Sequence, residues 1–121
     1  MNNVQQLKPN GINEKTLTKS EYVKLENIKN NVKPIENAQL FLESDDGKFS
    51  IGVWECSPCC EDMFNYPCDE YCLVLEGHLE ITVDGITQSF NQGDSFTIKK
   101  GTNMTWDMKT QFKKYFALYR S

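Results

Sequence analysis

Histidine is nearly missing from this chain. Its 121 residues contain one, His78, so no centre built on several imidazoles fits, whether a metal site or a paired acid–base site. A basic excess is missing too. Thirteen Lys and Arg stand against seventeen Asp and Glu, a formal charge of -4, which excludes the phosphate-gripping surface of a nucleic-acid binder. No run of 18 apolar residues occurs, so no membrane-spanning helix is expected. The opening MNNVQQLKPNG lacks the apolar stretch of a signal peptide, and the expected compartment is the cytoplasm. The length suits one domain, and there is no internal repeat.

Cysteine, by contrast, is plentiful. Cys56, Cys59, Cys60, Cys68 and Cys72 crowd one segment, but five is an odd number and the expected compartment is reducing, so free thiols are the reading.

Two textures divide the chain. Residues 1–35 form a polar N-terminal arm. Within it, TKSEYVKLENIKNN carries a capping-box pattern from Thr18 to Glu21, then Tyr22, Leu25 and Ile28 at helical spacing. This predicts a short helix over residues 19–30, docked by one apolar face. Residues 36–121 change period. AQLFLES, the turn Asp45-Asp46-Gly47 and KFSIGVWEC lead into a cysteine-rich loop. YCLVLEG, HLEITV, the turn Asp84-Gly85, ITQSF, SFTI, MTWDM and KKYFALYR follow. About eight short strands separated by Gly- and Asp-marked turns point to an all-β sandwich, jelly roll or barrel with antiparallel neighbours.

One stretch raises a chemical question. In YPCDEYCLVLEG two acids, Asp69 and Glu70, lie directly before an apolar strand, with a thiol on either side at Cys68 and Cys72. Side chains alternate along a strand, so Glu70, Cys72 and Val74 share one face and Tyr71, Leu73 and Leu75 the other. If Glu70 faces a cavity, Cys72 does too.

The order DEYCLVLEGHLEITVDG, NQGDSFTIKKGTNMTWDM, KKYFALYR resembles the cupin superfamily. More narrowly, it is similar to the small single-domain cupins grouped with the (S)-ureidoglycine aminohydrolase cupin domain. The resemblance covers roughly residues 50 to 119. It implies a conical jelly-roll β-barrel of antiparallel strands, a small-molecule site in the barrel mouth, and a homodimer. It also implies where a metal would sit. Counting back from Gly77, the glutamate ligand falls on Glu70, so the resemblance implies that Glu70 turns inward while Asp69 meets solvent. The histidine ligands fall near Phe64, on Asn65 or Tyr66, and on Met104, none of which is histidine, while His78 occupies no ligand position. One carboxylate of four ligands survives, so the usual divalent metal is not expected. Thiolate-bound zinc through Cys56, Cys59, Cys68 and Cys72 is a lesser alternative, because the second pair has three residues between its thiols where a zinc ribbon has two.

Other groups must then line the barrel mouth. Alternation puts Met104, Trp106 and Met108 on one face. Trp54 and Cys56 share a face whose direction the sequence leaves open. Tyr66, Cys72, Trp54, Cys56, Met104 and Trp106 are the candidate ligand contacts, for a small, partly apolar molecule bearing a donor or a positive charge. By the resemblance, Lys114 stands where this group often has a lysine before paired aromatics, and it is the candidate partner of Glu70.

Three functions fit. The first is a metal-independent small-molecule binder. The second is a hydrolase or isomerase acting on a small nitrogenous or carbonyl compound, with Glu70 as general acid or base, its pKa raised by burial, and Lys114 beside it. The third is an interaction protein whose N-terminal arm docks on a partner subunit.

Overall fold

The computed structural model describes residues 3–12 and 17–121. Ten strands form in chain order: β1 (Thr18–Lys19), β2 (Glu36–Glu43), β3 (Phe49–Cys56), β4 (Cys59–Met63), β5 (Asp69–Glu76), β6 (His78–Val83), β7 (Ile86–Asn91), β8 (Ser95–Ile98), β9 (Met104–Met108) and β10 (Phe112–Tyr119). They make a six-stranded sheet, β1-β2-β3-β10-β5-β8, facing a four-stranded one, β4-β9-β6-β7. Every pairing is antiparallel. This is the all-β, antiparallel architecture that the strand pattern predicts, in the jelly-roll form that the cupin resemblance implies. Among the described residues no helix is long and apolar enough to cross a membrane.

The inner faces of the two sheets supply the core, as a period of two dictates. Cys72 and Val74 of β5, Trp106 and Met108 of β9, Trp54 and Cys56 of β3, and Phe116 of β10 are all buried in one cluster. The direction of Trp54 and Cys56 is therefore inward. A train of edge-on aromatic contacts runs through the cluster, with Trp106 at ring-centroid distances of 6.4 Å from Trp54, 5.9 Å from Phe112 and 6.0 Å from Phe96.

Two turns explain their sequences. Asp84 and Gly85 both take positive φ, +49° and +78°, the conformation a two-residue hairpin needs. Gly77, at φ +94°, joins β5 to β6 with its backbone pressed against the Gln111 carbonyl oxygen, which a Cβ would overlap. Gly77→Ala should therefore cost about 2–4 kcal/mol, read as a lowered urea midpoint with an unchanged slope.

The arm departs from expectation. The helix over 19–30 does not form; in its place are β1, an extended stretch and a single 3-10 turn, Leu25–Asn27. The cause is long-range competition for backbone donors. Tyr22 N–H and Val23 N–H bond the Glu36 carboxylate at 2.9 and 2.8 Å, and Lys24 N–H bonds Glu61 at 3.1 Å. Thr18, expected to cap a helix, instead gives its hydroxyl hydrogen to the Ala38 carbonyl at 3.3 Å. Charge-assisted bonds to buried carboxylates outweigh those of a marginal helix. The strap continues along β4, where Lys29 N–H bonds the Cys60 carbonyl at 2.8 Å.

The cysteine-rich segment also differs, because Cys59–Met63 is a strand, β4, rather than loop. Its inward residues are Cys59 and Glu61. Further out along the arm, Asn10 accepts a bond from Lys113 at 2.8 Å, and Ile12 N–H bonds Gln39 at 2.9 Å. The arm is thus tied to its own barrel at Asn10, Ile12, Thr18 and residues 22–24 and 29, while most of its side chains stay exposed.

Candidate functional site

The barrel mouth encloses a cavity of about 700 Å³. Trp54, Tyr66, Glu70, Trp106, Lys114 and Phe116 line its depth, and the strap residues Tyr22, Val23, Lys24, Glu26 and Asn27 line its rim.

Glu70 and Lys114 meet on the floor. Strand register shows how. Leu118 of β10 pairs with Glu70, Phe116 with Cys72, and Lys114 with Val74, all on the inner face. Lys114 therefore starts four residues from Glu70, about 13 Å along the strand. Its long stem lies along the inner face to close that gap, ending with Nζ 2.6 Å from Glu70 Oε2. Both side chains are buried, at 8% and 4% exposure.

The rest of the floor completes the carboxylate's hydrogen bonds. Tyr66 Oη donates to Glu70 Oε1 at 2.8 Å, the Cys72 thiol donates to Oε2 at 3.0 Å, and the Cys68 thiol lies 3.8 Å from Oε1. Lys114 Nζ reaches Cys72 Sγ at 3.5 Å. Three rings surround the ammonium, with centroids 4.8 Å away for Trp106, 5.3 Å for Trp54 and 5.9 Å for Phe116. Trp54 is held in turn by its indole N–H on Glu36 Oε1, at 2.9 Å.

These contacts set the charges. Burial pushes the Glu70 carboxyl up, but the Lys114 charge and the bonds from Lys114, Cys72 and Tyr66 outweigh it and hold the group below the usual carboxylate range. Burial pushes the Lys114 amine down, and the neighbouring Cys72, Glu70 and Tyr66 reverse this to leave it raised. The Cys72 thiol and Tyr66 phenol are pushed up, mainly by burial, and stay neutral. The raised carboxyl expected for a general acid is thus corrected: the partner expected for it, Lys114, together with Cys72 and Tyr66, outweighs the burial that the expectation rested on.

A pH dependence follows. The depressed Glu70 contributes stability that is whole above its unfolded pKa of about 4.3 and lost as pH falls through the lower folded value. The raised Lys114 contributes stability that is whole below about 10.4 and lost as pH rises through its folded value. Urea unfolding across pH should show a plateau with losses at both ends, and Glu70→Gln should flatten the acid limb.

The site residues expected from sequence divide in two. Trp54, Tyr66, Glu70, Trp106 and Lys114 converge on the cavity. Cys56, Cys72 and Met104 are buried in the core instead, and only Cys72 reaches the floor, through its bond to Glu70. Small or flexible apolar side chains on an inner face fill the packing behind the larger rings. Asp69 is half-exposed and accepts the Lys100 N–H at 2.8 Å, as a solvent-facing neighbour of Glu70 should. His78 is partly exposed, with Nδ1 2.6 Å from Asn91 and Nε2 3.1 Å from Glu80. Phe116, which shares the inward face with Lys114, and Cys68, two residues from Glu70, were not among the expected site residues, although alternation makes both legible. The strap was not expected either, and it has no local signal.

All five cysteines are free thiols, and Cys56 and Cys59 are buried in the core. Among the described residues, no three His, Cys, Asp or Glu side chains converge so as to hold a metal ion.

Comparison with known proteins fits this barrel. The EutQ-like cupin domain matches residues 43–116. The chain belongs to the EutQ-like cupin family. Among solved structures, the EutQ protein of Clostridium difficile is similar at 18% identity and TM-score 0.64, over 83% of this chain and 81% of that one. A putative ethanolamine utilization protein Q from Salmonella typhimurium shares 21% identity at TM-score 0.62, over 71% of this chain and 70% of that one. A DUF861-family protein of unknown function from Pseudomonas syringae pv. tomato shares 20% identity at TM-score 0.79, over 86% of this chain and 44% of that one. At these identities the likeness is one of fold. No curated protein matches.

Of the four ligand positions that the cupin resemblance implies for a divalent metal, only Glu70 carries a donor of the expected type, and it is bonded to the Lys114 ammonium.

Proposed function

We propose that this EutQ-like cupin binds a small molecule in the barrel mouth without a metal. The observation carrying this reading is the buried ion pair on the cavity floor. Two charges taken out of water cost several kcal/mol each, and well-packed apolar residues in their place are often as stable or more so. A Lys–Glu pair kept beneath a ring-lined cavity is therefore better explained by ligand recognition than by stability.

The hydrolase or isomerase reading is less well supported. General acid–base work near neutrality needs a carboxyl raised or an amine lowered toward pH 7. Glu70 and Lys114 are moved in the opposite directions. The interaction reading is not the one these contacts favour, since Asn10 and Ile12 of the arm bond to Lys113 and Gln39 of their own barrel.

The chain has two tryptophans, and both line the cavity. Their two indole N–H signals in a proton–nitrogen correlation spectrum thus report on its contents. A fragment screen should yield hits that move the Trp54 and Trp106 signals saturably and that Glu70→Gln weakens. Hits that bind elsewhere and leave both indoles unmoved would refute the reading.

A further inference from the structure

We infer that the Lys114 ammonium is the resident cation of the cavity and that it selects neutral, carbonyl-bearing compounds as ligands. This rests on the small-molecule reading above and names the class of molecule.

A carboxylate and several aromatic faces around one point form the arrangement that captures cationic ligands. Here Glu70, Trp54, Trp106 and Phe116 form it, and the chain fills it from within. A cationic ligand finds its place taken, and a divalent metal meets a like charge. Anions are not favoured either. The floor pair cancels, and around it Lys24 and Arg120 are set against Glu26, Glu43 and Glu61, which leaves no cationic excess. The fixed charges therefore favour a neutral molecule.

The ammonium's hydrogens say what that molecule carries. Lys114 has three N–H donors. Glu70 takes one at 2.6 Å and Cys72 a second, weaker one at 3.5 Å. Among the described residues the third has no polar partner, and it sits among rings that line the cavity. Tyr66 Oη and the Cys72 thiol already give their hydrogens to Glu70, so the free donors facing a ligand are the Lys114 ammonium and, beside it, the buried Trp106 indole N–H, which has no partner among the described residues. A carbonyl oxygen completes those donors, and the ligand's apolar part packs on Trp54, Trp106 and Phe116.

The probes are benzamide, benzoate and benzamidine, three planar molecules of nearly one shape that are neutral, anionic and cationic at pH 7. In the wild-type protein, benzamide should shift the two indole signals saturably and bind roughly tenfold tighter than the other two. Lys114→Met should invert this order, because the emptied cage then accepts the benzamidinium, whose charge takes the place of the ammonium and holds Glu70 ionised. Should that variant not fold, Lys114→Met combined with Glu70→Gln removes both charges together. It should lose roughly tenfold in benzamide affinity and gain nothing for benzamidine.

Benzoate or benzamidine binding tightest to the wild-type protein would overturn the ligand class and leave the small-molecule reading standing. So would an unchanged order in both variants. Indole signals unmoved by all three probes would overturn the two together.

Discussion

Lys114→Met should destabilise the fold by about 3–5 kcal/mol, lowering the melting temperature by roughly 10 to 20 °C. Lost packing is not the reason, since methionine keeps most of the stem. Removing the ammonium leaves Glu70 ionised in a pocket where its side chain is 4% exposed. The carboxyl then has two outcomes. It stays charged at a desolvation cost, or it takes a proton and its pKa rises well above the ordinary range. The variant's stability should accordingly fall as pH rises between 5 and 8, where the wild-type protein is flat. Adding Glu70→Gln should return most of the loss and restore the flat profile, because the carboxamide needs no counter-charge. A Lys114→Met protein with an unchanged pH profile would mean that water reaches the carboxylate and that the pair is not buried in solution.

How much of this was legible beforehand depends on whether a feature is local. That Glu70, Cys72 and Val74 share a face follows from alternation. That this face turns inward does not, because Tyr71, Leu73 and Leu75 opposite are the more apolar set. The direction was implied by the resemblance, which puts Glu70 at a ligand position. Alternation is silent on β3 as well. Val53 and Trp54 are both buried there, one on each face, so no contrast marks the inside. In β4, cysteines and acids occupy both faces of Cys-Cys-Glu-Asp, which hides a strand from any hydrophobicity pattern. Lys113 and Lys114 are both buried, on opposite faces of β10. Lys113 pairs with Glu55 at 3.3 Å, and Lys114 pairs with Glu70 across 44 residues. Adjacent lysines look alike to composition, and only the register of β10 against β3 and β5 separates them. The strap lies furthest from local reading, since its backbone donors end on carboxylates 13 to 37 residues away.

That strap supplies the second large effect. Glu36→Ala should cost about 3 kcal/mol and release residues 20–24. One buried carboxylate collects four donors: Ser20 Oγ at 2.7 Å, Tyr22 N–H at 2.9 Å and Trp54 Nε1 at 2.9 Å on Oε1, and Val23 N–H at 2.8 Å on Oε2. Alanine orphans all of them, and the Trp54 indole is left inside the core. Hydrogen exchange at Tyr22 and Val23 should speed up by roughly tenfold or more, while amides of β9 follow only the global loss. Glutamine should fall between, because its carbonyl can serve one side while its amide hydrogens face the donors on the other. Acid should act as a milder version of the substitution. Burial pushes Glu36 up, but these bonds outweigh it and hold the group below the usual range. The clasp is therefore whole above about pH 4.3 and opens as pH falls through the lower folded value. Since Trp54 is also a wall of the cavity and lies 5.3 Å from the Lys114 ammonium, opening the strap should move the Trp54 indole signal at the same pH. Exchange at residues 20–24 that stays slow in Glu36→Ala, despite a lower melting temperature, would show that the strap is held by other contacts.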